Sequence, residues 1–476
     1  MRIAIKILII FFLISDIAFP QAVTWQRVYG GPQPEYGRDG IQTFDGGFII
    51  AALRQGQGGG ILLLKLDVYG NEEWSRIIDT TSVGVCIRQT NDSGYVIAGS
   101  NNNFGTVIKT DKLGSIIWKK QYSIKNEPSS FYKMKLLHNG ELIMCGRISI
   151  PLKAYIVKTD SMGNVIWEKS YSNSPSFTIA YDISYANDGF IYLTGVTAIN
   201  GFAKTLIGKI DESGNYIWFK SYGTEGKGDA QSGSGIIWED NNKIFISGSK
   251  TIFFSYSGHF TKIDSTGNIV FQEDYNSADE FVSMVKFYNG YALCGSNGST
   301  NKINLVTVDD EGNQMLNRFY SFNTIDEITY AYSISLTGKS GFFVTGLTTY
   351  QGSGINLNII GIKTDSLGNV YVSIHSQNNI IPNEFTLYQN FPNPFNPKTK
   401  ISFSISKGSF VTLKVYDITG REVKTLINEY KQSGSYETEF DASLSARQGN
   451  AMPSGVYFYK LETGDNSEIK KMILVK

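Results

Sequence analysis

An all-β chain, a seven-bladed β-propeller followed by a small Ig-like β-sandwich, is the fold predicted by two repeating blocks and a turn-rich composition. The first block, Lys65 to Trp74, returns as Lys109 to Trp118, Lys158 to Trp167 and Lys209 to Trp218. It continues in weaker form from Lys262 to Phe271, Thr307 to Leu316 and Lys363 to Val372. Its aspartates stand at 67, 111, 160, 211, 264, 309 and 365, a period of about 50 residues that suits four-stranded propeller blades. The second block precedes each copy, as in Asp92-Ser93-Gly94-Tyr95-Val96-Ile97-Ala98-Gly99, with relatives ending at Gly146, Gly195, Gly248, Gly295 and Gly346. The 476 residues include 49 Gly, 29 Phe and 28 Tyr, a turn- and strand-rich usage.

The elements follow in chain order. Residues 1–22 carry Arg2 and Lys6 and then the apolar run Ile7 to Ile14, the layout of a secretory signal. That run is too short for a membrane helix, and the mature chain is expected to lack a transmembrane segment. The propeller is expected over 23–378. Each blade reads as four strands: A runs into the Asp-Gly turn, B ends in the small-Gly pair, C runs into Lys-Thr-Asp, and D carries the tryptophan and tyrosine. Trp25-Gln26-Arg27-Val28-Tyr29-Gly30 has the D signature with no blade before it, while the D segment of the last repeat, Val370 to His375, has lost its aromatic pattern. Strand 23–29 is therefore predicted to complete blade seven, because a closed ring leaves no exposed sheet edge. Four of the 11 prolines fall between Pro382 and Pro397, which marks a linker over 379–398. Period-two segments then recur through 399–476, the pattern of a small antiparallel sandwich.

Within this tail, Tyr388-Gln389-Asn390-Phe391-Pro392-Asn393-Pro394-Phe395-Asn396-Pro397, Val415 to Val423, Pro453 to Tyr457 and Lys470 to Lys476 resemble the type A C-terminal sorting domain of the type IX secretion system. The resemblance covers the end of the chain from near residue 383. It implies export through the periplasm to the cell surface or beyond, with the secretion machinery as partner and Gly455, Tyr457, Lys470, Lys471 and Lys476 in the signal. The last strand is expected to offer its edge amides for strand addition. The hairpin Asp-x-x-Gly-Asn-x-x-Trp resembles the Asp-box of sialidase-type propellers. The whole of 24–375 resembles the tandem propeller repeats of secreted bacterial proteins, which implies fold rather than activity.

Charge and composition restrict the function. Lysine plus arginine and aspartate plus glutamate both total 43, so the basic excess of a nucleic-acid partner is missing. Three cysteines and three histidines supply neither a disulfide framework nor a metal centre, and no cofactor or metal is expected. The repeated tryptophans and tyrosines read as packing between blades, the repeated aspartates as turn caps, and Cys86, Cys145 and Cys294 as free packing residues.

The variable B–C and D–A connections share one edge of the ring and form the expected contact surface. The residues nominated there are Tyr36, Arg38, Arg54, Asn102, Phe104, Phe202, Tyr256, His259 and Tyr350, for a glycan or protein ligand. The alternative is a secreted glycoside hydrolase. It needs a carboxylate pair at the mouth, for which Asp39, Asp229, Glu280 and Glu327 are placed before A strands. The propeller's arginines crowd into its first two blades, which disfavours a sialidase-type cluster.

Overall fold

The computed structural model describes residues 23–30, 33–56, 58–101, 103–187, 189–226, 228–239, 243–253, 255–322, 328–338, 341–351, 355–370, 385–390, 392–405, 409–431, 434–443, 452–464 and 466–475. The chain divides into two compact units, 1–372 and 373–476. The expected signal segment and residues 379–384 and 391 of the linker lie outside the described residues.

The first unit is a seven-bladed propeller. Blade one pairs Glu35–Gln42, Phe48–Arg54, Gly60–Leu66 and Glu72–Asp79 in sequence order, and the next five blades repeat this antiparallel meander. Single residue pairs, Ala203 with Ala230 and Ser249 with Glu280, tie blade four to five and five to six at their edges. Blade seven takes three strands from the end of the unit, Thr329–Thr337, Gly341–Gln351 and Ile355–Lys363, and its outer strand from the start, Trp25–Tyr29. The register runs from Trp25 against Lys363 to Tyr29 against Ile359.

Aromatic side chains join the blades in a repeating order. Each D-strand aromatic lies over the glycine of the next blade's C–D hairpin: Trp25 on Gly70, Trp74 on Gly114, Trp118 on Gly163, Trp167 on Gly214 and Trp218 on Gly267. Phe271 on Gly312 and Leu316 on Gly368 complete the circuit. Four residues on, tyrosine hydroxyls donate to the same glycine carbonyls, Tyr122 to Gly163 at 2.9 Å, Tyr171 to Gly214 at 2.6 Å and Tyr320 to Gly368 at 2.6 Å. Gly70 shows why glycine stands there. Its φ is +77°, and a Cβ would come within 2.7 Å of the Trp25 ring.

The hairpins themselves are capped by their aspartates. Asp160 Oδ1 accepts the N–H groups of Met162 and Asn164, both at 2.8 Å, and Oδ2 accepts the Asn164 amide at 2.8 Å. The same pattern recurs at Asp67 and Asp309. These carboxylates satisfy turn amides and are not gathered at one point; among the described residues no group of three or more His, Cys, Asp or Glu is placed to hold a metal ion. All three cysteines are free and wholly buried. Burial pushes the Cys86 thiol up to about 11 and the Cys294 thiol to about 12.

The second unit is a three-stranded sheet, Thr386–Leu387, Lys398–Ile405 and Gly434–Asp441, with a four-stranded sheet, Ser409–Tyr416, Glu422–Lys431, Gly455–Glu462 and Ser467–Leu474. Phe403 and Phe440 of one sheet share a core with Val411, Leu413, Tyr459 and Leu461 of the other.

Gly455 opens a strand at φ +158°, and Tyr457 is buried with its hydroxyl on the Pro453 carbonyl at 2.8 Å. Lys470 pairs with Glu468 at 3.1 Å, Lys471 is exposed, and Lys476 lies outside the described residues. Part of the expected free edge of the last strand, at Ile473 and Val475, is already taken. Phe395 N–H donates to Ile473 O at 2.9 Å, Val475 N–H to Phe395 O at 3.0 Å and Ile473 N–H to Asn393 Oδ1 at 2.9 Å. The proline-rich segment covers those amides, so an added strand has to displace it.

Among the described residues no helix is long and apolar enough to cross a membrane.

Candidate functional site

The innermost strand of each blade carries a bulge at the same place. The register skips one residue between Gly37 and Asp39, Gly84 and Cys86, Phe131 and Lys133, Ala180 and Asp182, Gly233 and Gly235, Phe281 and Ser283, and Ala331 and Ser333. The extra residues are Arg38, Val85, Tyr132, Tyr181, Ser234, Val282 and Tyr332. A bulge re-aims a side chain without breaking the strand. Arg38, Tyr132, Tyr181, Ser234, Val282 and Tyr332 line one cavity of about 440 Å³ at the centre of the ring.

Lys133, Ser232, Ser249 and Glu280 complete its wall. Glu280 begins an A strand and Ser249 lies near the end of a B strand, so the cavity opens on the edge that carries the B–C and D–A connections. Tyr132 and Tyr181 meet edge to face at 5.4 Å. The Arg38 guanidinium lies 4.6 Å from the centre of the Tyr332 ring and 5.5 Å from that of Tyr36. Arg147 backs Tyr132 at 6.0 Å. Burial raises the phenol pKa of Tyr132, Tyr181 and Tyr332, so all three hydroxyls stay neutral. Burial and the adjacent Asp279 charge also raise Glu280.

Buried polar groups hold this wall. Asp39, 3% exposed, accepts from Gly40 N–H at 3.1 Å, Ile87 N–H at 3.0 Å and Arg88 Nη1 at 2.8 Å, and from the Ser333 hydroxyl, linking blades seven, one and two. Its burial favours the neutral acid, but Arg88, Lys133 and these hydrogen bonds outweigh that and hold its pKa down at about 2. Asp182 links blade four to five by accepting Ile183 N–H at 2.8 Å and Ile236 N–H at 3.0 Å. For Lys133, burial opposes its charge, while Asp39 and Asp182 more than offset that and raise its pKa.

Among the nine nominated residues, Arg38 lines the cavity and Tyr36 braces it, with the Tyr36 hydroxyl on Gln55 at 3.1 Å. Arg54 is held by buried Glu35 at 2.5 Å and lines a separate groove of about 420 Å³ beside Thr80 to Val83. Phe104 and Phe202 stand at half-buried hairpin ends of blades two and four, and Tyr256 is exposed on blade five. Tyr350 belongs to strand Gly341–Gln351, and Asn102 lies outside the described residues.

His259 requires a correction. It is not on the variable loop but inside strand Ser255–Ile263, and it is wholly buried. Its Nε2 lies 3.0 Å from the Ser232 carbonyl, an acceptor, so Nε2 donates; Nδ1 then accepts from the Thr261 hydroxyl at 3.1 Å. Burial pushes its pKa down to about 4. Its part is to fix the backbone of Ser232, whose hydroxyl meets that of Ser249 at 2.9 Å on the cavity wall.

Sequence reasoning missed Tyr132, Tyr181, Tyr332 and Lys133. The one available signal is positional: all four fall at the bulge column or one residue after it, when the repeats are aligned on the B-strand glycine.

Residues 389–476 match the family described as Secretion system C-terminal sorting domain. Among solved structures, the chain is similar to a protein of unknown function from Bacteroides caccae, at 12% identity and TM-score 0.39, covering 61% of this chain and 94% of that one. It is also similar to a protein of unknown function from Dyadobacter fermentans, at 10% identity and TM-score 0.45, covering 71% and 97%. A third likeness is to PorZ, a surface component of the type IX secretion system of Porphyromonas gingivalis, at 11% identity and TM-score 0.29, covering 91% and 73%. Nothing matches among curated proteins. Residues 389–476 are a sorting domain for type IX secretion, which directs the chain to the cell surface or the extracellular space.

Proposed function

With residues 389–476 as the export address, we propose that the propeller is an extracellular binding module that holds a glycan or protein ligand at the mouth of its central channel. The observation that carries this reading is the bulge ring: the inner strands bulge at one shared place, and Arg38, Tyr132, Tyr181, Ser234, Val282 and Tyr332 converge from these bulges on a single cavity of about 440 Å³. That volume falls within the usual range for small-ligand pockets, and its wall offers phenol faces, hydroxyls and cations. The half-buried Phe104 and Phe202 and the exposed Tyr256 add a rim on the same edge.

The hydrolase reading draws less support. Of the four carboxylates nominated for it, Glu280 alone lines the cavity among the described residues. Asp39 is spent on the blade junction, Asp229 accepts from Thr224 at 2.6 Å and Gly226 at 3.1 Å, and Glu327 lies outside the described residues. Acid–base hydrolysis needs two carboxylates at defined separation.

The test is a glycan and protein array probed with the mature full chain and with a Tyr181→Ala, Tyr332→Ala double variant shown by circular dichroism to be folded. The expected result is a ligand whose signal the double variant loses. Retention of every signal by the variant overturns the channel as the binding site.

A further inference from the structure

We infer that the channel cavity is selective for an acidic sugar, its carboxylate met by Arg38 and Lys133 and its ring laid on the tyrosines. This rests on the binding reading above and names the ligand class for that same site.

The cations carry the argument. Arg38 makes no ion pair among the described residues, and its Nε is buried without a hydrogen-bond partner. It is nonetheless held in place, because its guanidinium lies 4.6 Å from the centre of the Tyr332 ring and 5.5 Å from that of Tyr36. A guanidinium desolvated and oriented in this way, with its donors unspent, is preorganised for a carboxylate, which it can take in a bidentate grip.

Lys133 directly follows the bulged Tyr132 of blade three and likewise makes no hydrogen bond or ion pair among the described residues, although it lines the cavity. Asp39 and Asp182 do not line the cavity, although their charges act on Lys133 from behind. Asp39 is consumed by Ser333, Ile87 and Arg88, and Asp182 by two backbone amides. Among the described residues the one acid on the wall is Glu280, which leaves Arg38 as the cation with no acid beside it.

The remaining wall fits a sugar better than a peptide. Tyr132, Tyr181 and Tyr332 present flat, neutral phenol faces, and Ser232, Ser234 and Ser249 supply hydroxyls to one side. Stacking faces with short polar groups match the alternating C–H and O–H faces of a pyranose.

The experiment is calorimetric titration of the mature full chain with a short oligogalacturonide, its fully methyl-esterified form, and free galacturonic acid. The acid form is expected to bind, and the ester to bind about tenfold more weakly or worse, as befits loss of a charge-assisted contact. Arg38→Gln is expected to cost the acid form a similar factor and so to close the gap between acid and ester, and Arg38→Lys to recover part of it. The free sugar acid binding as well as the oligomer places recognition in one residue of the ligand; binding of the oligomer alone places it in a chain end with its neighbours. Because Lys133 stands beside buried aspartates, Lys133→Gln is read only alongside its melting curve, and the Arg38 pair decides the matter.

Equal affinity for acid and ester, with sensitivity to Tyr181→Ala, overturns the selectivity for acid and leaves the channel as the binding site. Binding indifferent to both Arg38 and Tyr181 overturns the channel itself. Failure of galacturonide, glucuronide and mannuronide oligomers alike to bind overturns the acidic-sugar class, and the array screen then decides the binding reading independently.

Discussion

Trp25 lays its indole across Gly70 and donates Nε1–H to the Val68 carbonyl at 3.1 Å, so the first strand of the propeller grips the hairpin of blade one while pairing with the last strand of blade seven. Tyr29, four residues on, donates to the Gly70 carbonyl at 2.7 Å. The joint that closes the ring is the same one that each blade makes with the next.

Removing that joint is expected to be costly. Trp25→Ala takes away a 7%-exposed indole and should lower unfolding stability by about 3–5 kcal/mol. Urea denaturation of the mature chain checks this; a loss below about 1 kcal/mol shows that closure does not depend on the indole.

Acid should weaken the propeller through His259. Its pKa in the fold is about 4 against an ordinary 6.5, so the unfolded chain binds the proton more readily in that interval. Stability is then full above about pH 6.5 and falls by about 3 kcal/mol as pH drops to about 4. Asp39, held at about 2, contributes stability that is lost only below about pH 4, outside this window. Melting curves of the native chain and His259→Gln across the interval provide the comparison: the variant should flatten the slope, and an unchanged slope assigns it elsewhere.

The three thiols should resist labelling. Each is wholly buried and free, and burial disfavours each thiolate. Titration with a thiol reagent is expected to find none in the native chain and three after denaturant. Rapid labelling of the folded protein contradicts the packing described for them.

Export should depend on the C-terminal unit. Deletion of residues 383–476 is expected to leave the propeller in the periplasm, detected by fractionation and immunoblot. Accumulation of the shortened chain in the medium refutes the sorting role.

The propeller was largely legible because its physics repeats. Each C–D hairpin needs an aspartate cap and a glycine, and each D strand a large apolar side chain to meet the next glycine, an aromatic everywhere except Leu316, so nearly the same letters recur at each blade. The orphan Trp25 to Tyr29 was readable for the same reason. The cavity was not, because a bulge shifts the alternation by one and no common residue type marks it: Arg38, Tyr132, Ser234 and Val282 share only a position. Period-two reading assigns such residues to the wrong face. His259 misled through its neighbours, since Ser255-Tyr256-Ser257-Gly258 has loop composition yet lies in a strand. The partner of Arg54, Glu35, is 19 positions away in sequence, so no local pattern announces the pair.

The order in which the chain emerges gives the ring closure a temporal meaning. Gln26 donates its side-chain amide to the Ser321 carbonyl, a contact spanning 295 positions, and Trp25 meets its strand partner only at Lys363. Such distant pairing raises contact order and delays the final step of assembly. A polypeptide halted before residue 355 presents Trp25–Tyr29 as an unsatisfied ribbon, open to aggregation or proteolysis. The circle is therefore sealed only by residues that lie within about thirty positions of the sorting domain, so a chain cut short of that domain by much more than this has no closed ring.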